Sequence, residues 1–341
     1  MKTIIRRNVS TFLKDILEQK NRLREDECLF FRGESNFHDK RTPSLYLQKK
    51  LAEQGSEYYY RTLLNELGRD DYNESTSLVR LMAELQHYGA KTRMLDVTKS
   101  PLIALYFAVE KVEKEEKNRK KIKDDGYIYI YKTTTHQEKF DTGHTVAIKS
   151  ALNLIDYEVI NNFLEACTKI RDMNEDENEF KKLKSKQQEE ILKKYDDDFI
   201  KNSIIKFMEL LNERARVREK LKYPIQIFYD LNSAHLIIPS KSTDRIRQQQ
   251  GAFIFPKYVN TRNKGMEEIK TEIDQSINEL SATLTTYIKE KGGKGRIEAQ
   301  FSCIKINSGD KENIRAELEQ LGVTDGYIYP DIEHQSKALL K

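Results

Sequence analysis

The sequence predicts a mixed α/β fold in which helices flank a mixed β-sheet. Apolar residues recur every three or four positions along 78–85, which indicates one buried face of a helix. Aromatic and β-branched residues alternate along 126–131, which is typical of a strand. Because segments of both kinds follow one another along the 341 residues, we expect helices and strands to pack as layers around one core.

The first predicted elements are a helix and a short buried strand. Ser10 is a suitable N-cap for a helix over 12–17. The continuous apolar run 28–31 predicts a strand that ends at Arg32 and Gly33. Two further helices are expected next, over 45–51 and 58–67.

A helix–strand–helix unit is predicted between residues 77 and 110. Its first helix ends before Gly89, a residue able to adopt the positive φ of a helix C-terminus. A short strand follows within 91–97, and Ser100 and Pro101 supply the N-cap and first position of the second helix. The polar residues of this unit gather in its turns and its strand: Gln86, His87, Thr92, Arg93, Asp96 and Thr98. This concentration between apolar flanks predicts a functional site.

The remaining chain alternates strands with amphipathic helices around one charged stretch. Strands are predicted over 126–131, 225–230, 234–239, 252–255, 296–306 and 326–330, and helices over 269–284 and 314–321. Nearly every second residue of 156–222 is charged, so we interpret this stretch as a charged helical insertion into a core domain of residues 1–155 and 223–341. Disorder is the alternative interpretation for 174–194.

Composition limits the classes of protein that fit. Lys and Arg number 59 against 55 Asp and Glu, and this net charge of +4 argues against a dedicated nucleic-acid packager. The three cysteines are far apart, which favours a reducing compartment and no structural zinc. No window is long and apolar enough to cross a bilayer, and neither G-x-G-x-x-G nor a P-loop is present. We expect a cytoplasmic protein with no metal and no membrane contact.

Two polar turns outside the central unit have both functional and structural interpretations. Arg32 is suited to grip a phosphate or carboxylate, with Gly33 letting the ligand approach the backbone. The alternative is an ion pair between Arg32 and Glu34 or another surface acid. Similarly, the amides of Gln248–Gln250 suit ribose hydroxyls or a carboxamide, or they satisfy backbone groups at a strand entry.

Four stretches in succession resemble the FRG domain family, named after its Phe-Arg-Gly motif. They are Phe31-Arg32-Gly33, QHYGAKTRMLDVTKSPLIALYFA from residue 86, Arg245-Ile246 with QQGAFIFP, and Leu321-Gly322-Val323 with IYPDIE. Their order and the long second block make the resemblance specific. Val97 replaces the tryptophan usual in the family and Met94 the common leucine, both apolar exchanges. The resemblance implies a bacterial defence or toxin-like setting.

The layout is also similar to ADP-ribosyltransferase folds. Those folds place an arginine or histidine at the end of the first core strand, a hydroxyl-bearing strand before a helix, and a glutamate or glutamine on a later strand. Arg32, the 92–100 segment and Gln248–Gln250 resemble that order. Since the third block has no glutamate, glutamine there would mean altered acceptor choice, NAD hydrolysis or binding without turnover.

These resemblances imply a cleft for NAD, with no metal, in which Arg32, Asp96 and Gln249 are the expected catalytic residues. Arg32 would neutralise the pyrophosphate and Gln249 would hold a ribose hydroxyl. Asp96 is expected to be largely buried, and either paired with Arg32 or Arg93 or engaged with the backbone at the next helix start; a purely structural clamp is the alternative.

Further ligand contacts are expected from the helix start and from aromatic rings. Thr98 or Ser100 would donate to phosphate or ribose, and Tyr88 or Tyr106 would stack on nicotinamide. The expected nucleotide-binding residues are Arg32, Gly33, His87, Tyr88, Thr92, Arg93, Thr98, Ser100, Tyr106 and Gln250.

The function expected from these features is transfer of ADP-ribose to a protein or nucleic acid, or hydrolysis of NAD, by a bacterial toxin or defence effector. The alternative is a non-catalytic module that recognises a nucleotide, a nucleic-acid end or a phage protein, with residues 156–222 providing specificity.

Overall fold

The computed structural model describes residues 2–19, 22–67, 77–111, 124–173, 197–289 and 296–332, with isolated positions 187, 190, 193, 335 and 336. The strands in this part are β1 Thr3–Arg6, β2 Glu27–Glu34, β3 Leu95–Thr98, β4 Gly126–Thr134, β5 Lys139–Phe140, β6 His235–Ile238, β7 Gly251–Phe255, β8 Leu284–Lys289, β9 Arg296–Phe301 and β10 Cys303–Ile306. The α-helices are α1 Val9–Gln19, α2 Lys49–Gln54, α3 Glu57–Leu67, α4 Leu78–His87, α5 Pro101–Val109, α6 His144–Ala151, α7 Tyr157–Asp172, α8 Asp198–Arg214, α9 Pro224–Asn232, α10 Asp244–Gln248, α11 Met266–Asn278, α12 Lys311–Gln320 and α13 Asp325–Ile328. None of these helices is long and apolar enough to cross a membrane.

Eight strands form one mixed sheet, which confirms the predicted α/β fold. The strand order is β1-β10-β4-β2-β3-β7-β6-β5, and β8 and β9 form a separate antiparallel pair. The outer pairs β1–β10 and β5–β6 are parallel, whereas the pairs between them are antiparallel. The strands that carry Arg32 and Asp96, β2 and β3, therefore lie next to each other in the middle of the sheet.

Helices cover both faces of the sheet. Successive strand residues point to opposite faces, and here the residues on each face are apolar and pack against helices. Phe30 and Tyr131 belong to one apolar core with α4, α6, α7, α8, α9 and α11. Their neighbours Phe31 and Ile130 belong to a second core with α1, α5 and α12. The central strands are thus buried on both faces, which gives the site a rigid base.

Helix α5 lies directly against two glycines of the sheet. A Cβ atom on Gly33 would lie 1.8 Å from the carbonyl oxygen of Ala104, and one on Gly126 would lie 2.1 Å from that of Ala108. Both contacts are with backbone atoms, which cannot rotate away. The lack of a side chain at Gly33 is therefore explained by helix packing, not by the approach of a ligand to the backbone.

Two segments predicted as strands are helices. Residues 225–230 lie in α9, where Pro224 occupies the first turn and apolar residues at 225, 228 and 231 share the buried side. Residues 326–330 overlap α13, whose N-cap Thr324 accepts a hydrogen bond from the Tyr327 amide. Both apolar runs are too short for their periodicity to separate a strand from a helix.

Other boundaries also differ from the prediction. The predicted strand over 296–306 is interrupted at Ser302, and its two halves pair in different sheets. The predicted helix over 269–284 ends earlier because β8 begins at residue 284. Asn8, not Ser10, caps α1 by accepting a backbone hydrogen bond of 2.8 Å.

The described helices of 156–222 pack into the first apolar core. Phe163 of α7 stacks on Phe207 of α8 with ring centroids 3.9 Å apart, and both rings are fully buried. These helices share their core with α4 and α6. The disorder considered for 174–194 lies outside the described residues, apart from the isolated positions 187, 190 and 193. The division into a core domain and an insertion stays a prediction.

A buried lysine amine joins three parts of the fold. Lys149 of α6 donates hydrogen bonds to the carbonyl oxygens of Ser233 (2.7 Å) and Pro256 (2.9 Å), which lie just before β6 and just after β7. Burial lowers the pKa of Lys149 to about 7, against the opposing effect of the Asp230 carboxylate. The amine is thus poised to lose its proton at neutral pH.

We expect Gly33→Ala to reduce the free energy of unfolding by about 1–3 kcal/mol, because the new methyl group forces α5 away from the sheet. Gly309→Ala is the matched control, since a Cβ there meets no atom within 4 Å. Urea denaturation of the two variants measures the difference. Equal stability of the two would contradict the packing argument.

The free energy of unfolding is expected to rise with pH between about 7 and 9 through Lys149. In that window the unfolded lysine, with its ordinary pKa of 10.5, holds a proton that the folded amine has released. The slope contributed by one such group is at most about 1.4 kcal/mol per pH unit. Denaturation at several pH values should show a smaller slope in Lys149→Met than in the wild type; identical slopes would refute the assignment.

Candidate functional site

A cleft of about 460 Å³ lies over the junction of β2, β3 and β7. Its walls come from the loop after β2, the C-terminal end of α4, one residue of α5, and α10. The strands β2 and β3 share one register pair, Phe31 with Thr98, whereas β2 and β4 share eight. The sheet is therefore held together over a short length at this point. The volume falls in the range of sites for small molecules.

The predicted central unit is confirmed and places most of the polar groups. Gly89 adopts φ 91° after α4, as its position predicted. The Ser100 hydroxyl accepts a hydrogen bond from the Ile103 amide and caps α5. Between these helix ends, β3 carries Asp96 and Thr98 into the cleft. Local capping thus positions the strand on which the site is built.

Arg32 joins β2 to β3 through its guanidinium. Its Nε donates to Glu34 Oε1 at 2.7 Å, and its Nη1 donates to the backbone oxygen of Asp96 at 2.8 Å. The ion pair with Glu34, one of the two interpretations of the sequence, is therefore present. Arg32 also lines the cleft, so the same residue supports the structure and borders the candidate site.

Asp96 is exposed to the cleft, and the expectation that it is largely buried is wrong. Gln86 Nε2 donates to both carboxylate oxygens, at 2.7 and 2.8 Å. Arg32 contacts the backbone oxygen of Asp96 rather than its carboxylate, and the Arg93 guanidinium packs on the Tyr258 ring instead. Water reaches the carboxylate, but protein surrounds it within the concave cleft. That surrounding protein raises the pKa of Asp96, while the charges of Arg32 and Arg245 and the Gln86 hydrogen bonds lower it.

Arg245 and His87 also line the cleft, and the sequence did not single out Arg245 as a site residue. Burial lowers the pKa of His87 to about 4, and the positive charge of Arg245 lowers it as well, so His87 is neutral at pH 7. His87 Nε2 and Arg245 Nε are buried without a hydrogen-bond partner in the described part of the chain. The Arg245 guanidinium lies over the Tyr329 ring, 4.9 Å from its centroid. The signal for Arg245 was its place in the third block of the family resemblance.

Thr98 and Gln249 line the cleft but are engaged in hydrogen bonds within the protein. The Thr98 hydroxyl donates to the Gln249 backbone oxygen at 2.7 Å and accepts from the Ser100 amide at 2.9 Å. The Gln249 side-chain nitrogen donates to the Ile328 carbonyl at 3.1 Å. The Thr98 hydroxyl was expected to donate to a phosphate or ribose, but it already donates its proton within the protein. These bonds join turns that are distant in sequence.

The two tyrosines expected to stack on a ligand do not line the cleft. Tyr88 is 80% exposed just after α4, and Tyr106 is 2% exposed with its hydroxyl bonded to Asp325. The partly buried aromatic ring that does line the cleft is Phe107 of α5. An aromatic contact with a ligand would therefore come from Phe107, which sequence reasoning missed because Phe107 follows the apolar pattern of its helix.

Four other predicted residues also lie outside the lining of the cleft. Arg93 is buried and packs on the Tyr258 ring, 4.8 Å from its centroid. Gln250 forms a turn with φ 45°, and Ser100 caps α5. Thr92 is fully buried and donates its hydroxyl to Gln86 at 2.5 Å. The structure thus brings Arg32, Gly33, His87, Asp96, Thr98 and Gln249 together in the cleft.

Comparison with protein families identifies part of this arrangement. The FRG domain model matches residues 27–117. Residues 27–117 are an FRG domain. The FRG domain contributes β2, α4, β3 and α5 to the cleft, whereas Arg245 and Gln249 lie outside the matched residues. Neither the curated proteins nor the solved structures with which the chain was compared contain a match.

We expect Arg32→Met to lower the free energy of unfolding by about 2–4 kcal/mol, because it leaves the buried Glu34 carboxylate without its counterion. The double variant Arg32→Met/Glu34→Met removes both charges and is expected to recover most of that loss. Thermal and urea denaturation would test both. If the double variant is no more stable than the single one, the ion pair is not what holds Arg32.

Proposed function

We propose that the cleft binds NAD or a related nucleotide and either transfers ADP-ribose to a macromolecule or hydrolyses the bond to nicotinamide. The observation that carries this proposal is a carboxylate with no ion-pair partner among the described residues, Asp96, set in one cleft with Arg32 and Arg245. Such a cleft offers cations for a pyrophosphate and an acceptor for a proton in the same small volume.

The charges along the cleft favour an anionic ligand. Among the described residues that line it, the cations are Arg32, Lys91 and Arg245, and the carboxylate is Asp96. His87 adds no charge at pH 7 because of its lowered pKa. Since Arg32 is already bonded to Glu34, Arg245 is the arginine that we propose makes the main phosphate contact. Phe107 would give the nicotinamide or adenine ring an apolar surface.

The proposed reaction breaks the bond between ribose C1′ and the nicotinamide nitrogen. The electron pair of that bond goes to the ring nitrogen, which becomes neutral as nicotinamide leaves. The nucleophile, either water or a side chain or nucleotide of an acceptor, forms the new bond to C1′ and gives its proton to Asp96. The Asp96 pKa, raised by the surrounding protein, favours such proton uptake. In a cell, this turnover would serve the proposed toxin or defence role.

A non-catalytic recognition module remains the second candidate, and one observation favours it. Thr98 and Gln249, two of the expected ligand-binding groups, are committed to hydrogen bonds within the protein. The cleft would then bind a nucleotide, a nucleic-acid end or a phage protein without turnover, and the helices of 156–222 would add specificity.

Purified protein incubated with NAD labelled in the adenosine phosphate should release nicotinamide or transfer label to lysate protein, DNA or RNA. We expect Asp96→Asn to reduce the rate by about 100-fold or more, as loss of an acid–base group does. Arg245→Gln should weaken NAD binding by about tenfold or more, because it removes a charge-assisted contact. Calorimetry measures binding, and chromatography of nicotinamide measures turnover.

The control for Arg245→Gln is Arg247→Gln on the same short helix. Arg247 is exposed, pairs with Asp244 at 2.6 Å and does not line the cleft. It should leave binding and turnover unchanged. NAD binding without turnover would favour the recognition module. The absence of NAD binding under all these conditions would reject both ADP-ribose transfer and NAD hydrolysis.

A further inference from the structure

A chain of hydrogen bonds leads from a backbone amide to the carboxylate in the cleft. The Met94 amide donates to Thr92 Oγ1 at 3.3 Å, and the Thr92 hydroxyl donates to Gln86 Oε1 at 2.5 Å. Gln86 Nε2 then donates to both oxygens of Asp96, at 2.7 and 2.8 Å. The chain therefore begins at a group that can only donate and ends at a group that, when ionised, can only accept.

The Asp96 carboxylate sets the direction of the hydrogen bonds in this chain, because it can only accept them when ionised. The Thr92 hydroxyl has a second acceptor, the Met94 carbonyl, but at 3.4 Å against 2.5 Å to Gln86. The shorter bond is the stronger one. With its Oε1 bonded to Thr92, the Gln86 amide turns its NH₂ group to Asp96. Rotating the amide by half a turn would place oxygen against a carboxylate and lose both bonds.

Thr92 holds the far end of the chain in a rigid position. It is fully buried, its amide donates to Ser44 Oγ at 3.1 Å, and its carbonyl accepts from the Leu45 amide at 3.0 Å. Gln86 is partly buried at the end of α4, and Asp96 is exposed to the cleft. One end of the chain is thus anchored in the protein while the other meets the ligand.

We propose that Thr92 and Gln86 are positioning residues that keep Asp96 an acceptor directed at the cleft. No group in this hydrogen-bond chain has a proton that ionises near neutral pH, so any proton that Asp96 takes up comes from the cleft side. The charged and titratable groups around Asp96 are Arg32 on β2, Arg245 on α10, and His87 and Lys91 after or at the end of α4. This inference rests on the proposed function only in its ligand: a ligand must bring an anionic group for Arg245 and a hydroxyl or amino donor for Asp96.

A pH titration of Asp96, monitored by ¹³C NMR of its carboxyl group, tests the hydrogen-bond chain without any ligand. The Asp96 signal is assigned by its loss in Asp96→Asn. We expect the Asp96 pKa to be higher in Gln86→Leu and in Thr92→Val than in the wild type, because donors that stabilise the ionised form are removed or released. Thr133→Val is the matched control, since it deletes another buried threonine hydroxyl whose partner is the adjacent Thr134 carbonyl.

An unchanged Asp96 pKa in Thr92→Val would overturn the proposal, as would an equal change in Thr133→Val. Because single variants leave a polar group without its partner, the double variant Gln86→Leu/Thr92→Val checks that the fold survives, since removing both partners costs less than removing one. It should titrate like Gln86→Leu alone, because Thr92 acts only through Gln86. Additive shifts in the double variant would contradict the chain.

A binding readout separates this proposal from the proposed function. Gln86→Leu should bind ADP-ribose about tenfold more weakly than the wild type, while Thr133→Val should bind it equally well. If wild-type protein binds neither NAD nor ADP-ribose, the nucleotide proposal fails while the NMR titration still decides the hydrogen-bond chain. If ADP-ribose binds equally well to Gln86→Leu, the nucleotide proposal stands and the assigned contact with Asp96 fails.

Discussion

The site depends on the guanidinium of Arg32, which spans the gap between two central strands. Where β2 and β3 share one register pair, Arg32 replaces further backbone pairing with an ion pair to Glu34 and a hydrogen bond to the Asp96 carbonyl. This contact fixes the backbone of Asp96 while leaving its carboxylate to Gln86. A charged group can hold this position because Glu34, itself buried, offsets its charge. Removing Arg32 would therefore disturb structure and ligand binding together, which is why Arg245 is the sharper probe of the cleft.

The cleft is assembled from two regions that lie far apart in the sequence. The FRG domain supplies the floor and one wall, and residues 245–253 supply the other wall. Hydrogen bonds from the Thr98 hydroxyl and the Lys99 amide to the carbonyls of Gln249 and Gln250 join the two regions. Some residues that were predicted to contact a ligand thus form hydrogen bonds that hold the two regions together. Fewer groups are therefore left for a ligand than the sequence suggested.

The sequence was sufficient where local signals decide the structure and insufficient where packing decides it. The α4–β3–α5 unit was predictable because Gly89 and Ser100 mark helix ends by their own chemistry. The apolar run after Pro224 reads equally well as strand or helix, and packing on the first core made it a helix. Asp96 lines the cleft but was expected to be buried, since exposure in a concave cleft is a property of the assembled walls. Arg245 lies close enough to His87 and Asp96 to lower the pKa of both, a proximity that no spacing along the chain reveals.

The contacts of residues 325–329 also determine when the cleft is completed during synthesis of the chain. The Ile328 carbonyl accepts a hydrogen bond from the side-chain amide of Gln249, and the Tyr329 ring packs against the Arg245 guanidinium. The Asp325 carboxylate accepts a hydrogen bond from the Tyr106 hydroxyl. These residues follow every other part of the cleft along the chain. During synthesis on the ribosome, strands and helices that carry Arg32, Asp96 and Arg245 emerge before the segment that supports the second wall. A nascent chain would therefore lack a complete cleft until residue 329 has left the ribosome, which delays any activity of the site until that point of synthesis.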